Sequence, residues 1–131
     1  MNKIIVKPAR GAAAAIGPYS QGVRAGEFLF CAGQIPVDPA SGQIVGLDAG
    51  AQTERVLENV KIILQDQKLD FGDVVKTTVF LTDLADFAAM NAVYARYFTA
   101  DFPARSTVQA AALPRGAKVE IEVVAYYGSR E

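Results

Sequence analysis

The chain has 131 residues, 51% of them hydrophobic, with 13 basic and 14 acidic side chains and a formal net charge of −1. That composition predicts one folded domain over 1–131 with a real core, not a disordered chain. Interspersed charges exclude a basic nucleic-acid stripe, no apolar run is long enough to span a membrane, and no signal-peptide plan opens the sequence, so a cytoplasmic protein is expected.

Two absences narrow the chemistry. There is no histidine, which removes Ser-His-Asp and Cys-His catalysis and histidine metal sites. The single cysteine, Cys31, excludes an internal disulfide and a thiolate cluster. Any catalysis draws on Arg, Lys, Asp, Glu, Tyr, Ser, Thr, backbone groups or water, and neither metal nor cofactor is expected.

In chain order, residues 2–7 read as a short strand and 8–15 as a loop rich in small residues. Gly17-Pro18 is a turn signal that sets Tyr19 and Ser20 just before a strand. Tyr19, by residue type alone, reads as core or rim packing. Residues 23–27 and 28–32 form a hairpin turning at Ala25-Gly26-Glu27. Cys31 reads as a small core residue, since no base or cation adjoins it. Gly33 ends that strand and permits close approach of a backbone or a ligand. Asp38-Pro39-Ala40-Ser41-Gly42 is a turn, with a possible short edge strand at 43–45.

Residues 48–68 are a helix, because Val56, Leu57, Val60, Ile63 and Leu64 share one stripe. Residues 74–82 are a strand in which Val75, Thr77, Val79 and Leu81 alternate with Lys76, Thr78 and Phe80. A second helix is expected over 83–100, with Phe87, Met90, Tyr94, Tyr97 and Phe98 as its core stripe. Asn91, beside that stripe, reads on its own as satisfying local backbone or water. Asp101-Phe102-Pro103 ends the helix. A strand then starts at Arg105, a turn at Leu113-Pro114-Arg115-Gly116 follows, and a last strand alternates Val119, Ile121, Val123 and Ala125 against Glu120, Glu122 and Val124. On rigid backbone this places one cation, Arg105, and one carboxylate, Glu120. By residue type alone they read as two solvated charges.

The order strand-strand-strand-helix-strand-helix-strand-strand predicts an α+β fold. Its six-stranded sheet is mostly antiparallel with two helices on one face. The other face carries Glu120, Val124 and Tyr126 and calls for a partner, so a homo-oligomer packing sheet to sheet is expected. A simple hairpin centred on Arg115-Gly116 would pair Arg105 near Ala125. Glu120 would then lie about 17 Å away at roughly 3.4 Å per residue. Either the register is offset, or Arg105 meets Glu120 from a neighbouring chain.

Four motifs in succession are similar to those of the reactive-intermediate deaminase (Rid) family, whose members also carry the older label of L-PSP endoribonuclease or translation inhibitor. They are Ile16-Gly17-Pro18-Tyr19-Ser20-Gln21, Cys31-Ala32-Gly33-Gln34-Ile35-Pro36, Phe102-Pro103-Ala104-Arg105-Ser106-Thr107 and Val119-Glu120-Ile121-Glu122. The likeness runs from about residue 3 to residue 126. It implies a chorismate-mutase-like fold, a homotrimer with clefts between subunits, and hydrolysis of 2-imino (enamine) acids such as 2-iminopropanoate and 2-iminobutanoate to 2-keto acids and ammonia. By this resemblance Arg105 grips the substrate carboxylate and Glu120 positions the attacking water. Tyr19 lines the cleft, Gly33 contacts the ligand through its backbone, and Asn91 stands near the cleft. Ala32 and Thr107 occupy substrate-binding positions where many members have Ser and Cys, which puts the preferred side chain in question.

The chemistry suits the inventory. A planar guanidinium fits a carboxylate as Lys does not, and a glutamate can move a proton from water to departing ammonia. Two other readings stay open: turnover of a larger enamine of aminoacrylate or aminomuconate type, and carboxylate-ligand binding without turnover. RNA cleavage is the least supported, since it needs basic groups on phosphate and a base near a 2′-hydroxyl.

Overall fold

The computed structural model describes residues 3–7, 14–15 and 17–130. Asn2, most of the expected small-residue loop (8–13) and Ile16 lie outside the described residues. Six strands form one mixed sheet: β1 (Lys3–Val6), β2 (Gly22–Ala25), β3 (Phe28–Cys31), β4 (Val74–Leu81), β5 (Ala104–Gln109) and β6 (Val119–Tyr126). The spatial order is β1-β2-β3-β6-β4-β5. All neighbours are antiparallel except β4 and β5, which run parallel.

Helix α1 (Ala49–Asp66) starts where Asp48 accepts a hydrogen bond from the Ala51 amide at 2.8 Å, satisfying a donor that the first turn leaves open. Its stripe of Val56, Leu57, Val60, Ile63 and Leu64 is buried, as the periodicity predicts. The helix packs on β6, whose Val119, Ile121, Val123 and Ala125 are buried beneath it. The second helix is shorter than expected: α2 is Phe87–Tyr94, preceded by a 3-10 turn at Leu84–Asp86 that Asp83 caps through Ala85. Beyond Tyr94 the chain continues in tight turns, with the Tyr97 and Phe98 amides both bonded to the Tyr94 carbonyl. The turns keep the helical spacing, so Met90, Tyr94 and Phe98 still reach the core while Phe87 stays on the surface.

Two further expectations need correction. In β4, Val74 pairs with Ala125 and Lys76 with Val124, so Val75 is an extra, bulged residue. Val74 therefore takes the buried place, and Val75 is exposed. The last two strands are not a hairpin. β4 lies between them, paired on one side with β5 and on the other with β6. The apolar strand takes the interior position, and the polar sequence Arg105-Ser106-Thr107 goes to the edge. Parallel pairing of β4 and β5 needs a crossover, and α2 supplies it. Residues 43–45 contribute only a single bridge, Val37 to Ile44.

Candidate active site

Strand pairing puts Arg105 and Glu120 on opposite faces of the sheet. Arg105 lies in the row of Thr77 and Val123, both buried on the helix side. Glu120 lies in the row of Phe80, on the face without helices. The rows are three residues apart, about 10 Å along the strands, and the two residues are two strands, roughly 10 Å, apart across them. One chain cannot bring both groups to a small molecule.

The residues around Arg105 hold its side chain in place. It donates from Nη1 to Asn91 Oδ1 at 2.7 Å and lies over the Tyr94 ring at 4.7 Å from the centroid. Tyr94 is fixed in turn by a 2.8 Å hydrogen bond between its hydroxyl and Thr77 Oγ1. Burial holds the Tyr94 hydroxyl above its ordinary pKa, so it stays neutral beside the cation. No carboxylate lies within ion-pair distance of Arg105 among the described residues. Thr107 points to the same side, two residues on, with a buried Oγ1 that has no partner. A hollow of ≈ 440 Å³ opens here, bordered by Asn91, Tyr94, Phe98, Phe102, Pro103 and Arg105. A held guanidinium without a counter-charge, with an unpartnered hydroxyl on the same side, has the chemistry to accept a carboxylate.

Glu120 borders a second cleft, of ≈ 520 Å³, together with Tyr19, Ala32 and Gly33. The Gln34 amide and carbonyl bond to Ile121, which sets Gly33 beside Glu120. A Cβ on residue 33 would overlap the Glu120 carboxylate, so the close approach that this glycine permits is made by Glu120 itself. The Ala32 peptide is clamped at both ends: its N–H donates to the Gln21 carbonyl at 2.9 Å, and its carbonyl accepts from Gln34 Nε2 at 3.1 Å. Gln34 Nε2 also donates to Gln21 Oε1 at 3.1 Å. Burial first, and then the charge of Glu122, raise the Glu120 pKa. A carboxyl so placed takes up a proton more readily than an exposed one, as an acid–base group requires. Cys31 is buried, which pushes its pKa up to about 12 and makes it inert.

The predicted site residues thus fall into two groups. Tyr19, Ala32, Gly33 and Glu120 share the open-face cleft, whereas Asn91, Arg105 and Thr107 share the helix face. The sequence reading missed Gln21 and Gln34, and it took Tyr94 for ordinary core. The available signals were a Gln between Gly33 and Ile35, where an apolar strand is ending, and a Tyr hydroxyl in an otherwise apolar stripe.

A family described as endoribonuclease L-PSP matches residues 10–127. The chain belongs to this family, the L-PSP or Rid proteins. Among Rid relatives, the 2-iminobutanoate/2-iminopropanoate deaminase of Salmonella typhimurium is 53% identical over 117 residues, covering 87% of this chain and 91% of the relative. A Rid-family protein from Yersinia pestis has a solved structure with TM-score 0.92 and 42% identity, covering 95% of this chain and 99% of that one. The structure of E. coli TdcF with bound serine gives TM-score 0.88 and 47% identity, covering 94% and 98%. The six-stranded mixed sheet with two helices is the fold of these Rid structures.

Proposed function

We propose that this protein is a hydrolytic deaminase of short 2-imino and enamino acids, 2-iminopropanoate and 2-iminobutanoate among them. On this reading it works as a homotrimer whose clefts form between neighbouring chains. The observation that carries the proposal is the placement of a guanidinium without a carboxylate counter-charge among the described residues, Arg105, and a proton-accepting carboxylate, Glu120, on opposite faces of one sheet. Each is half of a site, and a second copy joins the halves. The deaminase name of the Salmonella relative and the serine bound to TdcF both support a small amino-acid-like ligand.

In the joined cleft, Arg105 of one chain holds the substrate carboxylate through two parallel N–H···O bonds. Thr107 offers its spare hydroxyl on the same side. Tyr19 and the Ala32–Gly33 peptide of the other chain border the imine. Glu120 takes a proton from water as the water oxygen bonds to C2 and the C=N π electrons move to nitrogen. From the N-protonated imine this gives a neutral carbinolamine. Glu120 returns its proton to nitrogen, the C–N bond breaks as the hydroxyl oxygen forms C=O, and the hydroxyl proton passes to the departing ammonia. The products are the 2-keto acid and ammonium, with atoms and charge in balance. Orientation and proton transfer of this kind are worth about 10²–10⁴ in rate. The net charge of −1 supplies no phosphate track for an RNA substrate.

The test is keto-acid release from 2-iminopropanoate and 2-iminobutanoate, generated in situ by an amino-acid oxidase. The parent is expected to accelerate both, and Arg105→Ala to lose about 10²-fold or more in kcat/KM. A parent no faster than the spontaneous reaction on either imine overturns the reading.

A further inference from the structure

The cleft beside Glu120 extends past the place where a short imino acid reacts. Its wall follows the chain from Gly33, which touches Glu120, past Ile35, Val37 and Pro39 to Gly42. At the Gly42 end stands Arg115, whose Nη1 donates to the Gly42 carbonyl at 2.8 Å. Ile35, Val37 and Pro39 make the stretch between the two charged groups apolar. The volume of ≈ 520 Å³ falls in the range of about 300–1,000 Å³ that accepts ligands well beyond four carbons.

Arg115 is held in an unusual way. Its backbone is left-handed, at φ 58° and ψ 25°, between Pro114 and the left-handed Gly116. Non-glycine residues in that region collect at ligand sites, because the surroundings must enforce the conformation. The tether to Gly42 is a neutral carbonyl, and no carboxylate lies within ion-pair distance of Arg115 among the described residues. A guanidinium has five N–H donors, and the bond to Gly42 uses one of them.

We propose that Arg115 is a second carboxylate anchor, and that the cleft takes 2-imino acids carrying a terminal carboxylate. This rests on the deaminase reading for its reaction. The 2-carboxylate sits on the neighbour's Arg105 and the imine carbon at Glu120. The methylenes lie along Ile35, Val37 and Pro39, and the far carboxylate pairs with Arg115 in the bidentate geometry that Arg favours.

The assembled protein is assayed on 2-iminoglutarate and 2-iminobutanoate, each generated by a suitable oxidase. Arg115→Gly keeps the left-handed backbone without strain, and Arg115→Lys keeps the charge. The ratio of kcat/KM for 2-iminoglutarate over 2-iminobutanoate is expected to fall about 10–100-fold in Arg115→Gly, the value of a lost charge-assisted pair, and to recover in part in Arg115→Lys. A parallel loss on both imines, leaving the ratio in place, overturns the proposal. Calorimetric binding of 2-oxoglutarate against 2-oxopentanoate separates it from the deaminase reading. An Arg115-dependent preference for 2-oxoglutarate in a protein that hydrolyses neither imine keeps the anchor and discards the reaction. Equal affinity for the two keto acids discards the anchor.

Discussion

Glu120 shows how one side chain's surroundings set its chemistry. Burial against Gly33 and the neighbouring charge of Glu122 both favour the protonated carboxyl. On the deaminase reading proposed above, the ionised form is the one that accepts a proton from water, so activity is expected to fall on acidification as Glu120 protonates. Burial and Glu122 move that acid limb above the position of an ordinary glutamate. Replacing Glu122 by Gln removes one of the two causes, and the acid limb of kcat/KM is expected to move to lower pH. Glu120→Gln is expected to lower turnover by about 10²–10⁴ and to abolish the limb. A pH–rate profile for the three proteins decides it. A limb that stays in place in Glu122→Gln assigns it to another group.

At the scale of elements, the cleft wall depends on α1. Asn59 is buried on that helix and donates to the carbonyls of Ile35 at 3.2 Å and Val37 at 2.8 Å. Its own Oδ1 accepts from Arg55 at 2.9 Å. One helical side chain thus fixes the irregular segment between Gly33 and Pro39, where no strand ladder satisfies the backbone. Asn59→Leu takes the side-chain donor from the Val37 carbonyl, while the Ile35 carbonyl keeps its bond from the Val37 amide, which costs about 1–3 kcal/mol. Urea unfolding is expected to show a lower midpoint at unchanged slope. A loss under about 0.5 kcal/mol, the size of an ordinary surface change, would mean that the segment holds itself. Arg105 depends in the same way on α2, through Asn91 and Tyr94. Its separation from Glu120 is set by β4, which lies between β5 and β6, so the last two strands do not pair with each other.

For the whole molecule, the open face of the sheet is the telling surface. Phe28, Phe30 and Tyr126 are exposed there, and the Phe28 and Tyr126 rings meet at a tilt of 33° with centroids 5.2 Å apart. An apolar patch beside the cleft that the proposed function shares between chains is suited to burial against another copy. Phe30→Asp places a charge in that patch without touching the core, since Phe30 is 48% exposed. Light scattering is expected to report a folded monomer, and keto-acid release is expected to fall by about 10²-fold, the value of a missing substrate clamp. Full activity in a dilute monomer would refute the shared cleft.

The sequence by itself determined the local periods and the chemical inventory. The stripe from Val56 to Leu64 could only be a buried helix face, and Val119 to Ala125 only a half-buried strand, because side-chain spacing follows from backbone geometry alone. Its motifs also single out Arg105, Glu120, Tyr19 and Gly33 as candidate site residues, through their likeness to the Rid family. Only the tertiary structure decided that β4 separates β5 from β6, that Val75 bulges, and that Arg105 and Glu120 occupy opposite faces. Strand order is a long-range choice among edges of similar local propensity, settled by which strand buries best on both sides. The roles of Gln34, Tyr94 and Asn59 are likewise products of that choice, since their partners lie 13, 17 and 24 residues away in the chain.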